Sequence, residues 1–377
     1  MSEPPSRPAP AAGFLPALDG LRAVAILLVA LYHTQFLFGA IRLPGGLLRA
    51  ARLGWAGVDL FFVISGMLIT GILLRSRGQP GSFGRFWTRR ALRIFPLAYL
   101  YLAFLAWCGQ QTSPLLLLGL RDLSEWPWYV FYLANLRIAV LGLPGGGLGL
   151  LWSLAAEEQF YLVWPLVVLL LPEVWTLRAA VATVLLSPIL RGITWMVAED
   201  KVTMTYFAPW CRMDALALGA GIALAQARGV DVAGWARKRV PLALAVLGTV
   251  FLHGFAAESS TAPRDQPLFA VFGYSIVAAA FAVLVAAARA PGSFWTAVLA
   301  NRLALWIGKR SYGIYIWHSA VAMAVGGWLR IYVPELGPWA VLGVWVAATA
   351  VVAGLSWRLW ERPWLDWKDR LAPDRPA

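Results

Sequence analysis

Charged residues are scarce in this chain of 377 amino acids, in which 14% are charged and 60% are hydrophobic. Together with a mean hydropathy of +0.67, this composition excludes an ordinary soluble domain of this length. Acidic residues are also fewer than basic ones, 19 against 32. Because the sequence carries no nucleic-acid recognition motif, the excess of positive charge predicts basic loops on one side of a membrane and no nucleic-acid partner.

Cysteine is nearly absent, since Cys108 and Cys211 are the two in the chain and neither belongs to a CxxC motif. This scarcity excludes a disulfide framework and a thiolate metal site, and we expect neither a metal nor a tightly bound cofactor. The N-terminal segment is rich in proline and alanine and lacks the apolar core of a signal peptide. Residues 1–13 are therefore predicted to form a disordered cytoplasmic tail.

Long apolar stretches dominate the rest of the sequence, and ten of them are long enough to cross about 30 Å of hydrocarbon. They lie at 18–38, 56–74, 92–110, 150–171, 178–198, 206–226, 240–257, 267–288, 311–330 and 338–358. The segment 127–141 is shorter and contains Asn135 and Arg137, which indicates a re-entrant or interfacial segment. We predict an all-α bundle of about ten transmembrane helices over residues 14–363, with a short cytoplasmic tail at 364–377.

The basic residues between the second and third stretches predict the orientation. The loop 75–93 contains six arginines and no acid: Arg75, Arg77, Arg85, Arg89, Arg90 and Arg93. Lys and Arg accumulate on the cytoplasmic side, so this loop is predicted to be cytoplasmic. Both termini then also lie in the cytoplasm, and we expect a multi-pass protein of the cell inner (plasma) membrane, in contact with its lipids.

The first apolar stretch carries Arg22 and His33, eleven residues apart. On a helix this spacing places both side chains on one face, roughly 16 Å apart along the axis. Ionisable groups inside a span are costly and often functional. Each residue also has a structural interpretation, Arg22 as an anchor at the membrane surface and His33 as a hydrogen-bonding contact between helices.

Other polar residues interrupt later apolar stretches. Asp59 and Ser65 lie in the second stretch. In the fourth, Ser153, Glu157 and Tyr161 follow one helical face. Glu158 points about 100° away, so Glu157 is the one expected in a polar cavity.

Two further apolar stretches carry polar residues. Arg212 and Asp214 are about 200° apart on a helix and are expected to have separate partners. In the ninth stretch Ser311, Tyr315 and His318 share one face, which is typical of a helix that lines a polar interior.

In their order along the chain, these segments resemble the membrane-bound acyltransferase 3 family, whose members O-acylate carbohydrates and related hydroxylated compounds. The similarity covers nearly the whole chain, through LDGLRAVAILLVALYH, GVDLFFVISGMLI, RRALRIFP, LWSLAAEEQFYLVWP, RMDALALG, IGKRSYGIYIWH and WERPW. It implies that Arg22 and His33 match the family's Arg-x10-His signature, with His33 the candidate catalytic base. The sequence departs from the family pattern after His318, where a proline is often found. Many members carry a C-terminal esterase-like domain, and we expect none in this chain.

The resemblance also implies a donor, an acyl-CoA and most simply acetyl-CoA, as co-substrate. Arg89, Arg90 and Arg93 are then expected to bind its phosphates. Neutral His33 is expected to take the proton of an acceptor hydroxyl, in direct transfer or through an acyl-histidine. Supporting roles fall to residues around it: Asp59 or Glu157 would orient the imidazole, and Arg22, Arg212 or a tyrosine would stabilise the oxyanion.

The acceptor implied by the resemblance is an extracytoplasmic or lipid-linked carbohydrate or a glycosylated secondary metabolite. Two alternatives belong to other classes of protein. A multi-span transporter or flippase would also contain intramembrane charges, although the sequence shows no symmetry between its halves. A non-catalytic partner of envelope glycan assembly would share the family's motifs without its activity. The sequence leaves the oligomeric state open.

Overall fold

The computed structural model describes residues 16–37, 45–110, 123–144, 146–257, 263–290 and 298–373. Over these ranges every regular element is a helix and no strand is present, which confirms the all-α prediction. Within the described ranges, seven helical stretches are long and apolar enough to cross a membrane, judged by length and composition. The count of ten spans, the cytoplasmic termini and the division into a domain and two tails stay predictions. The predicted tail at 1–13 lies outside the described residues.

The helices are numbered here along the chain. The first nine are α1 Pro16–His33, α2 Gly45–Arg52, α3 Gly57–Ser76, α4 Ser82–Gly109, α5 Trp126–Val130, α6 Ala134–Leu141, α7 Leu151–Leu170, α8 Glu173–Val197 and α9 Lys201–Phe207. The others are α10 Met213–Ala227, α11 Val232–Arg237, α12 Val240–Ala256, α13 Tyr274–Ala287, α14 Arg302–Lys309, α15 Ser311–Tyr332, α16 Pro338–Ser356 and α17 Arg362–Leu371. Most of the predicted apolar stretches therefore coincide with a helix, within a few residues at each end.

Helix α4 begins ten residues before the predicted span, directly after Gly81, which has a φ of 71°. The predicted apolar stretch begins only at residue 92. Residues 82–91 before it are more polar, but they contain no proline, and the helix includes them. The prediction that the basic segment 75–93 is a loop is therefore wrong for its second half. Arg85, Arg89, Arg90 and Arg93 lie on a helix, so their spacing decides which way each one faces.

The predicted span at 206–226 is interrupted. Helix α9 ends at Phe207, a single turn of 3-10 helix covers Pro209–Cys211, and α10 begins at Met213. Proline lacks the N–H that a continuous helix needs and forces the residue before it out of the helical region, and Ala208 has a ψ of 132°. The break places Arg212 at the N-cap of α10.

The segment 127–141 consists of the two short helices α5 and α6, separated at Tyr132, which has a φ of 55°. Polar side chains hold the break in place. Asn135 Nδ2 donates to Gln159 Oε1 at 3.0 Å, and Gln159 Nε2 donates to the Tyr132 carbonyl at 2.9 Å. Arg137 binds both carboxylate oxygens of Glu125, at 2.6 and 3.1 Å. Neither helix is long enough to span a membrane, and the re-entrant placement stays a prediction.

Helix α3 lies inside the bundle and packs against α1, α7, α10 and α13. Its contact with α10 depends on glycine, because a Cβ on Gly66 would lie 1.9 Å from the Leu216 carbonyl oxygen. The reverse contact is equally close, since a Cβ on Gly219 would lie 2.1 Å from the Val63 carbonyl oxygen. No side chain fits at either glycine, so the two backbones meet directly.

Candidate active site

A cavity of about 110 Å³ lies among α1, α3, α4, α7 and α15. Its lining includes nine of the residues that the sequence singles out: Arg22, Ser65, Arg90, Arg93, Ser153, Glu157, Tyr161, Ser311 and Tyr315. Apolar residues of α3 complete the wall, among them Phe61, Phe62 and Leu68. Five helices that are distant in sequence thus direct their polar faces into one space.

Arginines line one part of this cavity. Arg90 and Arg93 are one turn apart on α4 and share a face, and the guanidinium carbon of Arg90 lies 5.7 Å from the ring centroid of Tyr161. Arg22 joins them from α1, with its Nη1 3.1 Å from Asp19 Oδ1. The three cations form what we call the arginine end of the cavity.

Arg89 lies outside the arginine end, although the sequence groups it with Arg90 and Arg93. It is turned about 100° from Arg90 around α4. Its Nη2 lies 3.1 Å from Asp369 Oδ1, and its Nη1 donates to the Ala372 carbonyl. Arg89 therefore attaches the C-terminal helix α17 to α4 and does not line the cavity.

Hydroxyl groups and a carboxylate follow along α7. Tyr161 hydrogen-bonds Ser65 of α3, and Glu157 lies one turn above Tyr161 in the same lining. One further turn along, Ser153 Oγ is 2.7 Å from the hydroxyl of Tyr315, which also donates to the Leu150 carbonyl. From Tyr161 to Ser153 the cavity extends about 12 Å along the helix. As predicted, Glu157 lines it and Glu158 does not.

Two histidines meet just beyond Tyr315. His318 is fully buried, and its Nε2 lies 3.1 Å from Nδ1 of His33. His33 Nδ1 is also 2.8 Å from the Val29 carbonyl oxygen, and His318 Nδ1 is 2.7 Å from the Tyr315 carbonyl oxygen. His318 follows Tyr315 by three residues, so the histidine pair lies about 4.5 Å further along α15 than the last cavity-lining tyrosine.

This arrangement corrects two of the predicted roles. Nδ1 of His33 contacts the Val29 carbonyl oxygen and Nε2 of His318. Asp59, one of the two predicted orienting acids, instead forms an ion pair with Arg212, whose Nη2 lies 2.7 Å from Asp59 Oδ1. Arg22 lies roughly 16 Å from His33 along the continuous helix α1, too far to stabilise an oxyanion beside it.

A second buried polar cluster surrounds the break between α9 and α10. As expected from their spacing, Arg212 and Asp214 have separate partners: Arg212 pairs with Asp59, and Asp214 Oδ2 lies 2.9 Å from Arg191 Nη1. The guanidinium carbon of Arg212 also lies 4.3 Å from the ring centroid of Tyr274. None of these residues lines the cavity.

Arg191 was not among the candidate residues, although its position in the apolar stretch 178–198 is a signal that sequence reasoning can use. It is fully buried in α8 and hydrogen-bonds Ser275 at 2.5 Å as well as Asp214. Tyr312 was also missed; it lines the cavity and donates to the Ile94 carbonyl at 2.7 Å. Over the part of the chain that the structure describes, no three His, Cys, Asp or Glu side chains gather as a metal site.

Comparison with known proteins identifies the family of the chain. A family model described as an acyltransferase domain, Acyl_transf_3, matches residues 15–361. The chain belongs to this family. The matched range contains all five helices around the cavity, and with them the arginine end and the histidine pair of this chain. No solved structure matches the chain.

Three named relatives are similar over 93% of this chain. The peptidoglycan O-acetyltransferase OatA of Listeria monocytogenes is 30% identical over 367 residues. The putative peptidoglycan O-acetyltransferase YrhL of Bacillus subtilis is 31% identical over 379 residues, and the O-acetyltransferase OatA of Staphylococcus aureus is 30% identical over 375. The alignments cover 56%, 55% and 57% of these relatives, so the chain spans little more than half their length.

Proposed function

We propose that this chain is an integral membrane O-acyltransferase that moves a short acyl group, in the simplest case acetyl, from cytoplasmic acyl-CoA to a hydroxyl of a carbohydrate. One observation carries the proposal: a single cavity has three arginines at one end and a histidine pair one helical turn beyond the other. The relatives' names support an acetyl group and a glycan acceptor. The plasma membrane and an extracytoplasmic or lipid-linked acceptor belong to the same proposal.

The donor would enter at the arginine end. Guanidinium groups bind phosphate through charge-assisted hydrogen bonds, and Arg22, Arg90 and Arg93 gather three of them. The volume of about 110 Å³ is roughly ten times what one water needs, about 10–15 Å³. That space suits the thin thioester end of the donor, while its nucleotide would stay outside against the basic end of α4. Arg22 is thereby reassigned from oxyanion stabilisation to donor binding.

The transfer step follows from the histidine pair. The acceptor oxygen attacks the thioester carbonyl carbon while its proton passes to Nε2 of neutral His33. The tetrahedral species then expels the CoA sulfur, which leaves as the thiolate or takes that proton from the imidazolium. The hydroxyls of Ser153 and Tyr315, at the cavity end toward the histidine pair, are the candidates for stabilising the oxyanion; to do so, either one would turn its proton away from its present acceptor, the Tyr315 oxygen or the Leu150 carbonyl. An acyl-histidine intermediate is the alternative route, with His33 attacking first.

Glu157 has a different task in this proposal from the one its sequence position suggested. It lies between the arginine end and Ser153, about 6 Å below Ser153 along α7. Its carboxylate offsets part of the positive charge of the three arginines and offers an acceptor to a passing amide group of the donor. In this role Glu157 helps to position the donor, while the Val29 carbonyl and His318 contact the imidazole of His33.

A transporter or flippase is the rival function, because it would also bury charges between membrane helices. The two functions differ in a measurable product. Purified protein in lipid nanodiscs, supplied with acetyl-CoA and a panel of soluble glycan acceptors, is expected to release free CoA in step with acetylated acceptor. Consumption of no thioester with any acceptor, together with transbilayer movement of a glycan lipid in vesicles, would contradict the proposal and favour the rival.

A further inference from the structure

We infer that His318 is a positioning residue, which holds the proton of neutral His33 on Nδ1 and so directs the lone pair of Nε2 to the acceptor hydroxyl. This inference rests on the proposed function, in which His33 is the base. It concerns a residue 285 positions away in sequence, on a different helix from His33. The hydrogen-bond partners of the two rings carry the argument.

The ring of His318 can be assigned first. Its Nδ1 lies 3.0 Å from the Ile314 carbonyl oxygen and 2.7 Å from the Tyr315 carbonyl oxygen. Carbonyl oxygens only accept hydrogen bonds, so Nδ1 must carry a proton. In a neutral imidazole the other nitrogen is then an acceptor, and the lone pair of His318 Nε2 points toward His33.

The assignment of His33 follows from that of His318. Its Nδ1 faces two acceptors, the Val29 carbonyl oxygen at 2.8 Å and His318 Nε2 at 3.1 Å. A proton on Nδ1 of His33 can be shared by both acceptors. An unprotonated Nδ1 would instead direct its own lone pair at the lone pairs of the Val29 oxygen and of His318 Nε2. The two ring centroids are 4.9 Å apart with the planes at 66°, so the rings meet through their edges. The favoured neutral form of His33 therefore has its lone pair on Nε2, the form that a general base needs.

The Val29 carbonyl alone is a weaker constraint. It lies one turn before His33 on α1 and already accepts the backbone hydrogen bond of that turn. His318 contributes a second acceptor from α15, and it fixes the plane of the ring relative to the cavity. When Nε2 of His33 takes the acceptor proton, Nδ1–H keeps both acceptors and His318 stays neutral. The arrangement matches the role of the third member of a catalytic triad, which fixes the tautomer and orientation of the base.

Two substitutions at His318 separate this role from a purely structural one. His318→Gln places an amide oxygen near the position of Nε2 and can still accept from His33. His318→Asn reaches only to the position of Nδ1, so it leaves His33 without that acceptor. We expect His318→Gln to keep most of the kcat and His318→Asn to lose about 10–100-fold, with the KM for acetyl-CoA unchanged in both. His253→Gln, on the exposed side of α12, is the matched control.

The tautomer itself can be observed by ¹⁵N NMR on histidine-labelled protein, because the chain has three histidines. Variants at His33 and His253 assign the signals. We expect wild-type His33 to be protonated at Nδ1 and the His318→Asn variant to show a mixture of both tautomers. A wild-type His33 protonated at Nε2 would overturn the inference, as would a loss of kcat in His318→Asn with the tautomer unchanged.

A substitution of His33 itself distinguishes failure of this inference from failure of the proposed function. If folded His33→Gln is fully active, the proposed base is wrong. If His33→Gln is inactive while His318→Asn equals the wild type in kcat and tautomer, only the role of His318 is wrong.

Discussion

Removal of Arg212 is expected to destabilise the protein strongly, because it leaves the carboxylate of Asp59 alone in the bundle. The two side chains are 1% and 2% exposed, with Arg212 Nη2 2.7 Å from Asp59 Oδ1, and Asp59 Oδ2 has no hydrogen-bond partner among the described residues. Breaking a buried ion pair on one side costs about 3–5 kcal/mol. We therefore predict that Arg212→Met lowers the free energy of unfolding by about 3–5 kcal/mol.

The opposite single variant is expected to be milder. In Asp59→Asn the guanidinium of Arg212 keeps its cation–π contacts with Tyr274 and Tyr206, whose ring centroids lie 4.3 and 4.9 Å from its central carbon. A desolvated cation–π contact is worth up to about 2 kcal/mol, so we expect a loss of about 2–3 kcal/mol. The double variant removes both charges and should lose less than Arg212→Met alone, which corresponds to a coupling of at least about 2 kcal/mol.

The assay is equilibrium unfolding in mixed micelles with an increasing fraction of SDS, followed by circular dichroism. Glu173→Gln is the matched control, since Glu173 and its partner Arg228 are 39% and 35% exposed and such pairs are worth about 1 kcal/mol or less. The structural assignment would be refuted if Arg212→Met were within about 1 kcal/mol of the wild type, or if the double variant lost the sum of the singles. If Asp59→Asn folds but its kcat is reduced by about a hundredfold, Asp59 has a catalytic role in addition to its ion pair.

Three further predictions concern the cavity and the packing around it. Arg93→Ala should weaken acetyl-CoA binding by about 10–100-fold, since a hydrogen bond to a charged group is worth about 1.5–3 kcal/mol. Arg89→Ala is the control and should change the affinity little. Equal losses of affinity in the two variants, measured by calorimetric titration, would show that the donor binds elsewhere. Gly219→Ala should cost about 3 kcal/mol of unfolding free energy, because its Cβ would lie 2.1 Å from a backbone oxygen of α3. Gly221→Ala, which meets open space, should be neutral or stabilising by up to about 1 kcal/mol, and the same unfolding assay compares the two. Tyr315→Phe should lower kcat for CoA release by about tenfold with little change in the donor KM, and an unchanged kcat would remove its hydroxyl from the mechanism.

Much of the site could be predicted because helical periodicity acts over a few residues. The separation of Glu157 from Glu158 follows from a rotation of 100° per residue. Arg212 and Asp214 also have separate partners, but the reason differs from the predicted one, because Arg212 is the N-cap of α10 and lies outside the regular helix. The same rule also separates Arg89 from Arg90, once α4 is known to begin at Ser82. That start was missed because an apolar stretch ends where the membrane does, while a helix ends where its backbone hydrogen bonds do.

Contacts between distant helices could not be predicted in this way. His33 and His318 lie at the ends of separate motifs, and nothing in either one shows that α1 and α15 pack side by side. The pairing of Asp59 with Arg212 depends on the close approach of α3 and α10, which Gly66 and Gly219 permit only as a pair. Such partners are determined by how the helices pack against one another, and the periodicity of a single helix contains no information about that packing.

The proposed base of the acyl transfer, His33, is tested by the rate at which folded His33→Ala protein in nanodiscs converts acetyl-CoA and a glycan acceptor into free CoA and O-acetylated product. We expect kcat to fall by at least about 100-fold, since general base catalysis contributes about 10²–10⁴, with acetyl-CoA binding retained at the arginine end. A folded His33→Ala protein that transfers acetyl groups at the wild-type rate would contradict the assignment of His33 as the base.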